Sequence, residues 1–265
     1  MNLLLPGMYL AADSALHRLD PRVKMGAALL LMVIPFVAQS LGSILLLLAF
    51  VAAVALLSTA PLVALLRTLR TVFWLGCFMF FFYLFTTPGR TMIVLGGIAV
   101  TWEGLLAGAV QIYRLCLLVT VAALLTFTTS PSQLTQGLEA MLGPLEWVGL
   151  PVRELTLVLT IALRFVPTLF EEVDKITRAQ QARGADLRSG GPWRRTQSWV
   201  SVFVPIFVSA FRRAEELATA MEARGFRGPH HRTRLRQLRL THQDLAASLV
   251  VLVVSLAVVG LDRLA

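Results

Sequence analysis

Four stretches of the chain carry no charged residue: the segment between Lys24 and Arg67, residues 71–89, residues 115–138, and the segment between Asp244 and Asp262. A helix needs about 20 apolar residues to cross a bilayer. The first stretch is about twice that length, so it holds two spans, and the turn QSLGS at 39–43 divides it. The expected spans are then 22–39, 41–58, 72–87, 102–127 and 245–261. Local punctuation supports these limits. Asp20-Pro21 reads as an N-cap followed by proline in the first turn. Ala60-Pro61 ends the second span, leaving Arg67 and Arg70 in the loop that follows. Thr101 reads as an N-cap with Glu103 in the first turn. Thr241 and Asp244 read as the pair that opens the last span. The segment TMIVLGGIAV at 91–100 is too short to span and is broken by glycine, which predicts an outer hairpin or a re-entrant piece.

Between Ser130 and Gln243 the pattern changes, with sixteen Arg or Lys and ten Asp or Glu. Two apolar runs there, 155–163 and 199–211, are too short for spans and suit buried or interfacial helices. The chain therefore reads as an all-α integral membrane protein of about five transmembrane helices. Four lie within residues 1–129, a cytosolic or interfacial helical domain occupies 130–243, and the last span lies in 244–265.

Composition agrees: 57% of residues are apolar and only 15% charged, against about a quarter charged in soluble domains. The net charge of +9 would point to nucleic acid in a soluble protein. Here it belongs to loops that hold orientation and meet anionic lipid. Arg18, Arg22, Lys24, Arg67, Arg70 and the cations of 130–243 fall on one side of the membrane, with Arg90 and Arg263 on the other. The positive-inside rule then makes the N-terminus and the helical domain cytoplasmic. No basic n-region precedes MNLLLPGMYL, so no cleaved signal peptide is expected.

Candidate chemistry is sparse. Cys77 and Cys116 sit inside apolar runs with no metal or disulfide spacing, and the four histidines lie near predicted loops. HExxH, GxSxG and Walker A patterns are absent, so neither a catalytic site, a metal nor a cofactor is expected. A membrane enzyme is one alternative class. A self-sufficient secondary transporter is another, with Arg114 as the only charge deep in a span. Arg114 is either a functional group or a structural bond to a neighbouring helix. The aromatic run at 72–87 is either a lipid-facing surface or a docking face.

The basic domain contains one tripeptide twice, Ala182-Arg183-Gly184 and Ala223-Arg224-Gly225. Val173 and Ile176 before the first, and Leu217 and Met221 before the second, recur at helical spacing. Each segment reads as an amphipathic helix with arginine at its C-terminal end and glycine as the stop. Ordinary capping explains both. So does a pair of rigid prongs, since guanidinium makes forked bonds to carboxylates and carbonyls.

At these residues the sequence resembles the transmembrane T component of energy-coupling factor transporters, importers of vitamins and metal ions. The likeness extends to AMEARGFRG at 220–228, LHRLDPRVK at 16–24, EGL at 103–105 and TTSPSQL at 128–134. GPHHRT at 228–233 departs from it, with two histidines where relatives carry more glycine. The resemblance implies a non-catalytic scaffold in the cell membrane. It would join two cytosolic ABC ATPases to a membrane-embedded substrate-binding S component. Arg183 and Arg224 would dock in the ATPases, and Val173, Ile176, Leu217 and Met221 would pack the coupling helices.

Overall fold

The caps read from the sequence start their helices where the spacing puts them. The computed structural model describes residues 14–59, 62–95, 98–185, 191–228 and 240–264. His230 and His231, and the residues on which the signal-peptide expectation rests, lie outside these. The chain divides into two compact units, Met1–Ala140 with Leu238–Ala265, and Met141–Gln237.

In the first unit a short helix α1 (Ala15–Arg18) leads to α2 (Pro21–Val37). Asp20 caps α2 by accepting from the Arg22 amide, with Pro21 at the first helical position. Ser40 caps α3 (Leu41–Leu57) in the same way through the Ser43 amide. Helix α4 (Leu62–Thr86) is followed by a hairpin of β1 (Thr91–Leu95) and β2 (Ile98–Thr101), paired antiparallel. Of the two outcomes expected for 91–100, a hairpin or a re-entrant piece, the antiparallel pairing is that of a hairpin. Its base is closed by the Trp102 amide on the Arg90 carbonyl and by the Glu103 carboxylate on the Arg90 amide. Thr101 caps α5 (Trp102–Thr128) through the Gly104 amide. After α6 (Pro131–Leu142) and the second unit, α9 (His242–Leu264) completes the bundle.

By length and composition, α4, α5 and α9 are long and apolar enough to cross a membrane. Helices α2 and α3 have 17 residues each, the lower limit for a span. A narrow core of Leu31, Leu47, Val51, Leu117, Val121, Leu124 and Val258 runs between α2, α3, α5 and α9. Outward, Leu30, Val33, Leu48, Trp74, Phe78, Phe82, Leu252 and Leu256 are exposed. In water such a surface would aggregate; in lipid it is the solvated face. The chain is an all-α membrane protein, its hairpin being the sheet among the described residues.

Two helix limits differ from the sequence expectation. Helix α4 begins ten residues early, directly after Pro61, so Arg67 and Arg70 lie within its first turns and not in a loop. Both residues are exposed, and a guanidinium on a long stem near a helix end can reach out to a membrane interface. In the second unit, α7 (Val152–Ala182) runs through Arg164 and Pro167, and α8 (Pro192–Ala223) runs through Pro205. A proline removes one backbone bond and bends a helix, but strong flanking turns carry the helix past it. The two short apolar runs are therefore parts of the same helices that end in the repeated tripeptides. A 3-10 turn (Gly143–Val148) precedes α7.

Candidate functional site

Helices α7 and α8 finish with one backbone motif. At the end of α7 the Gly184 amide donates to the Gln181 carbonyl and the Ala185 amide to the Gln180 carbonyl, at 3.0 and 2.9 Å. At the end of α8 the Gly225 amide donates to Glu222 and the Phe226 amide to Met221, at 2.9 and 3.0 Å. This is the Schellman pattern, and it needs a left-handed residue after the cap. Gly184 and Gly225 supply it with φ of 88° and 73°. A side chain there would cost about 1–2 kcal/mol. Arg183 and Arg224 are thus the C-cap residues, and all six residues of the two tripeptides are exposed.

The helices meet at a polar crossing. Glu172 on α7 accepts from Ser209 at 3.3 Å and from Arg213 at 3.5 Å on α8. Arg183 lies eleven residues beyond Glu172, and Arg224 eleven beyond Arg213. Counted from Arg213 the α8 arm matches the α7 arm at about 16 Å, and counted from Ser209 it is about 22 Å, at 1.5 Å per residue. Val173, Ile176, Leu217 and Met221 lie on these arms and are half-buried. Exposed ion pairs, Arg178 with Asp174 and Arg212 with Glu216, decorate the outer faces.

Sequence reasoning missed a second feature of these helices. Val200, Phe203, Val204, Phe207, Val208 and Phe211 make an exposed apolar stripe on the N-terminal side of the α8 crossing. Leu155, Val158, Val166 and Phe170 do the same on α7. The signal was present as i, i+3, i+4, i+7 spacing, but Arg164, Pro205 and Arg212 cut it into short runs that read as buried or interfacial helices.

In the membrane unit, charged groups sit on the ends of helices other than their own. Asp262, near the end of α9, accepts from the Ser40 amide at 2.8 Å, the Gln39 amide at 3.1 Å and the Ser43 hydroxyl at 2.8 Å. It thereby holds the start of α3. Asp244, at the start of α9, accepts from the Thr241 and Asp20 amides, both at 2.7 Å. The Lys24 ammonium donates to the His17 carbonyl at 3.0 Å and the Thr128 carbonyl at 3.1 Å. The starts of α2 and α9 and the end of α5 are consequently gathered at one end of the bundle. Anions meet helix N-termini and cations meet C-termini, as the helix dipole favours.

Arg114 follows the same rule. Its Nε donates to the Pro35 carbonyl at 3.0 Å, its guanidinium reaches Phe36 and Ala38 carbonyls at 3.5 Å, and it lies 5.7 Å from the Phe36 ring centre. It closes the C-terminus of α2, so of the two readings the structural bond is the one observed. Helix α5 also approaches α4 through Gly104 and Gly108, a small-xxx-small pair. A Cβ on Gly104 would lie 2.9 and 3.0 Å from the Tyr83 and Leu84 carbonyls.

Residues 12–235 match the family model described as cobalt transport protein. The chain is 45% identical over 241 residues to the energy-coupling factor transporter transmembrane protein EcfT of Thermosediminibacter oceani, covering 91% of each chain. It is 45% identical over 247 residues to the protein of that name from Heliobacterium modesticaldum, covering 92% of each. To the Bacillus subtilis protein of that name it is 42% identical over 255 residues, covering 95% of this chain and 96% of the relative. The family match takes in α2 to α8 with both tripeptides, and the chain belongs to the family of energy-coupling factor transporter transmembrane proteins, the T components.

Proposed function

We propose that this chain is the mechanical link of an ATP-driven importer of vitamins or metal ions. It joins two cytosolic ATPases to a membrane-embedded substrate-binding subunit. It hydrolyses no ATP itself, and the N-terminus and the helical unit face the cytoplasm.

One observation carries the reading: two helices that cross where Glu172 meets Ser209 and Arg213 each end in the same capped, exposed arginine. A cap alone accounts for each end singly. It gives no reason for two ends alike in motif and exposure. A pair of like ATPases offers two like sockets, and guanidinium in each makes forked, charge-assisted bonds with carboxylates or C-terminal carbonyls. The exposed stripes of Phe203, Phe207 and Phe211, and of Val158 and Phe170, supply apolar surface for a partner that is itself embedded in lipid. The cation bias toward the end where α2 and α9 begin supports the orientation.

The test is retention of the ATPases on the tagged chain in a detergent pull-down. Wild type retains both. Arg183→Glu with Arg224→Glu loses them, while the chain stays in the membrane fraction. Undiminished retention by the double variant refutes the docking role.

A further inference from the structure

We infer that the polar clamp at the start of α2 is the fulcrum of coupling, with Lys24, Asp20 and Asp244 as positioning residues that pin both junctions of the helical unit to one helix end. The inference rests on the function proposed above. It assigns a role to the 16–24 and 128–134 motifs, which the docking reading leaves unused.

The chain leaves the membrane unit after Ala140 and returns at Leu238. The outgoing path is fixed at the end of α5, where Lys24 holds the Thr128 carbonyl. Two residues later Ser130 and Gln133 form a reciprocal capping box that starts α6 at once. On α6, Gly137 lies so close to α2 that a Cβ would come within 2.8 Å of the Met25 sulfur and 3.2 Å of Pro21 Cβ. The returning path is fixed at Thr241 and Asp244, whose carboxylate is shared with the Asp20 amide.

The partners of this clamp are the reason to see more than stability in it. Lys24 and Asp244 bond the His17, Thr128, Asp20 and Thr241 main chain, so they fix the path of the backbone. Lys24, Asp20 and Asp244 are all buried, with Asp244 only 2% exposed. Burying such groups is costly, and apolar residues of like size would hold a bundle as well. Charge bonded to main chain defines position, which a pivot needs and a simple core does not. Directly beside the clamp lies a half-open apolar groove of about 260 Å³, lined by Val23, Ala27, Val51, Val54, Leu124 and Val251, between α2, α3, α5 and α9. A rigid end beside a groove that no side chain fills leaves these helices room to tilt about the clamp.

The experiment uses the complete complex in proteoliposomes and reads substrate taken up per ATP hydrolysed. Lys24→Met and Asp244→Asn are expected to keep the ATPases bound and ATP turnover within about twofold, while uptake per ATP falls roughly tenfold. Lys24→Arg, which keeps a cation on the same carbonyls, should restore most of it. Gly137→Leu, which pries α6 from α2 without removing a buried charge, should uncouple likewise and serves if a charge variant fails to assemble. ATPases retained with unchanged uptake per ATP overturn the clamp alone. Uptake lost only in step with loss of the assembled complex, with Lys24→Arg no better, overturns it too. A wild-type chain that retains no ATPase overturns the proposed function, and the clamp with it.

Discussion

Replacing Arg114 by methionine separates a structural arginine from a transport residue. The side chain makes one well-placed bond, Nε to the Pro35 carbonyl at 3.0 Å, while those to Phe36 and Ala38 stand at 3.5 Å. A charge-assisted bond contributes roughly 1.5–3 kcal/mol. Contacts at the distance limit add little, and the half-exposed guanidinium over Phe36 adds about 0.5 kcal/mol. Methionine keeps the length and spares the desolvation of a cation, which offsets part of the loss. The net expectation is destabilisation by about 2 kcal/mol, or roughly thirtyfold in the folding equilibrium. Arg114→Lys, with one donor group on a shorter reach, should lose about half as much. The assay is unfolding of the purified chain in mixed micelles with increasing SDS, run beside uptake by the complex. Uptake should fall only as far as the folded population does. Unchanged unfolding with abolished uptake would refute the reasoning, since it would place the arginine on the transport path.

Two further substitutions test the packing and the helix-end charges. Gly104→Ala should destabilise by about 1–2 kcal/mol in the same titration, because its Cβ meets fixed carbonyls of Tyr83 and Leu84. Gly108→Ala should cost less, because the Phe80 ring at 2.8 Å can rotate and the single carbonyl its Cβ meets, that of Phe80, stands farther off at 3.2 Å; equal costs would contradict the contact. Asp262→Ala removes the acceptor for the Gln39 and Ser40 amides and should loosen the start of α3 by about 1 kcal/mol. Hydrogen exchange over residues 41–45 should then quicken roughly fivefold, with α5 unaffected.

What the sequence reveals is what is local. Asp20 with Pro21, Thr101 with the Gly104 amide, and Gly184 and Gly225 all act within a few residues, so caps and stops are legible. The uncharged runs place the helices because lipid tolerates few buried charges. Two inferences failed for one reason: local breakers were weighed more than context. Arg67 and Arg70 looked like a loop, and Arg164, Pro205 and Arg212 looked like breaks, yet each lies inside a helix. The bonds that tie the bundle were illegible. Asp262 meets Ser40, and Asp244 meets Asp20, across more than two hundred residues of chain, and no spacing rule links them. Asp244 shows the boundary well: one oxygen caps Thr241, as the local pattern implied, while the other holds a helix that only the fold brings near.

The two tripeptides share more than a cap. Each ends a helix that runs on past the crossing at Glu172, and each leaves its arginine exposed. Capping constrains only the last turn of a helix, and helix packing constrains only the crossing. Neither gives a reason for two ends alike in motif and exposure, and a purely local account of Ala-Arg-Gly leaves that likeness without a cause.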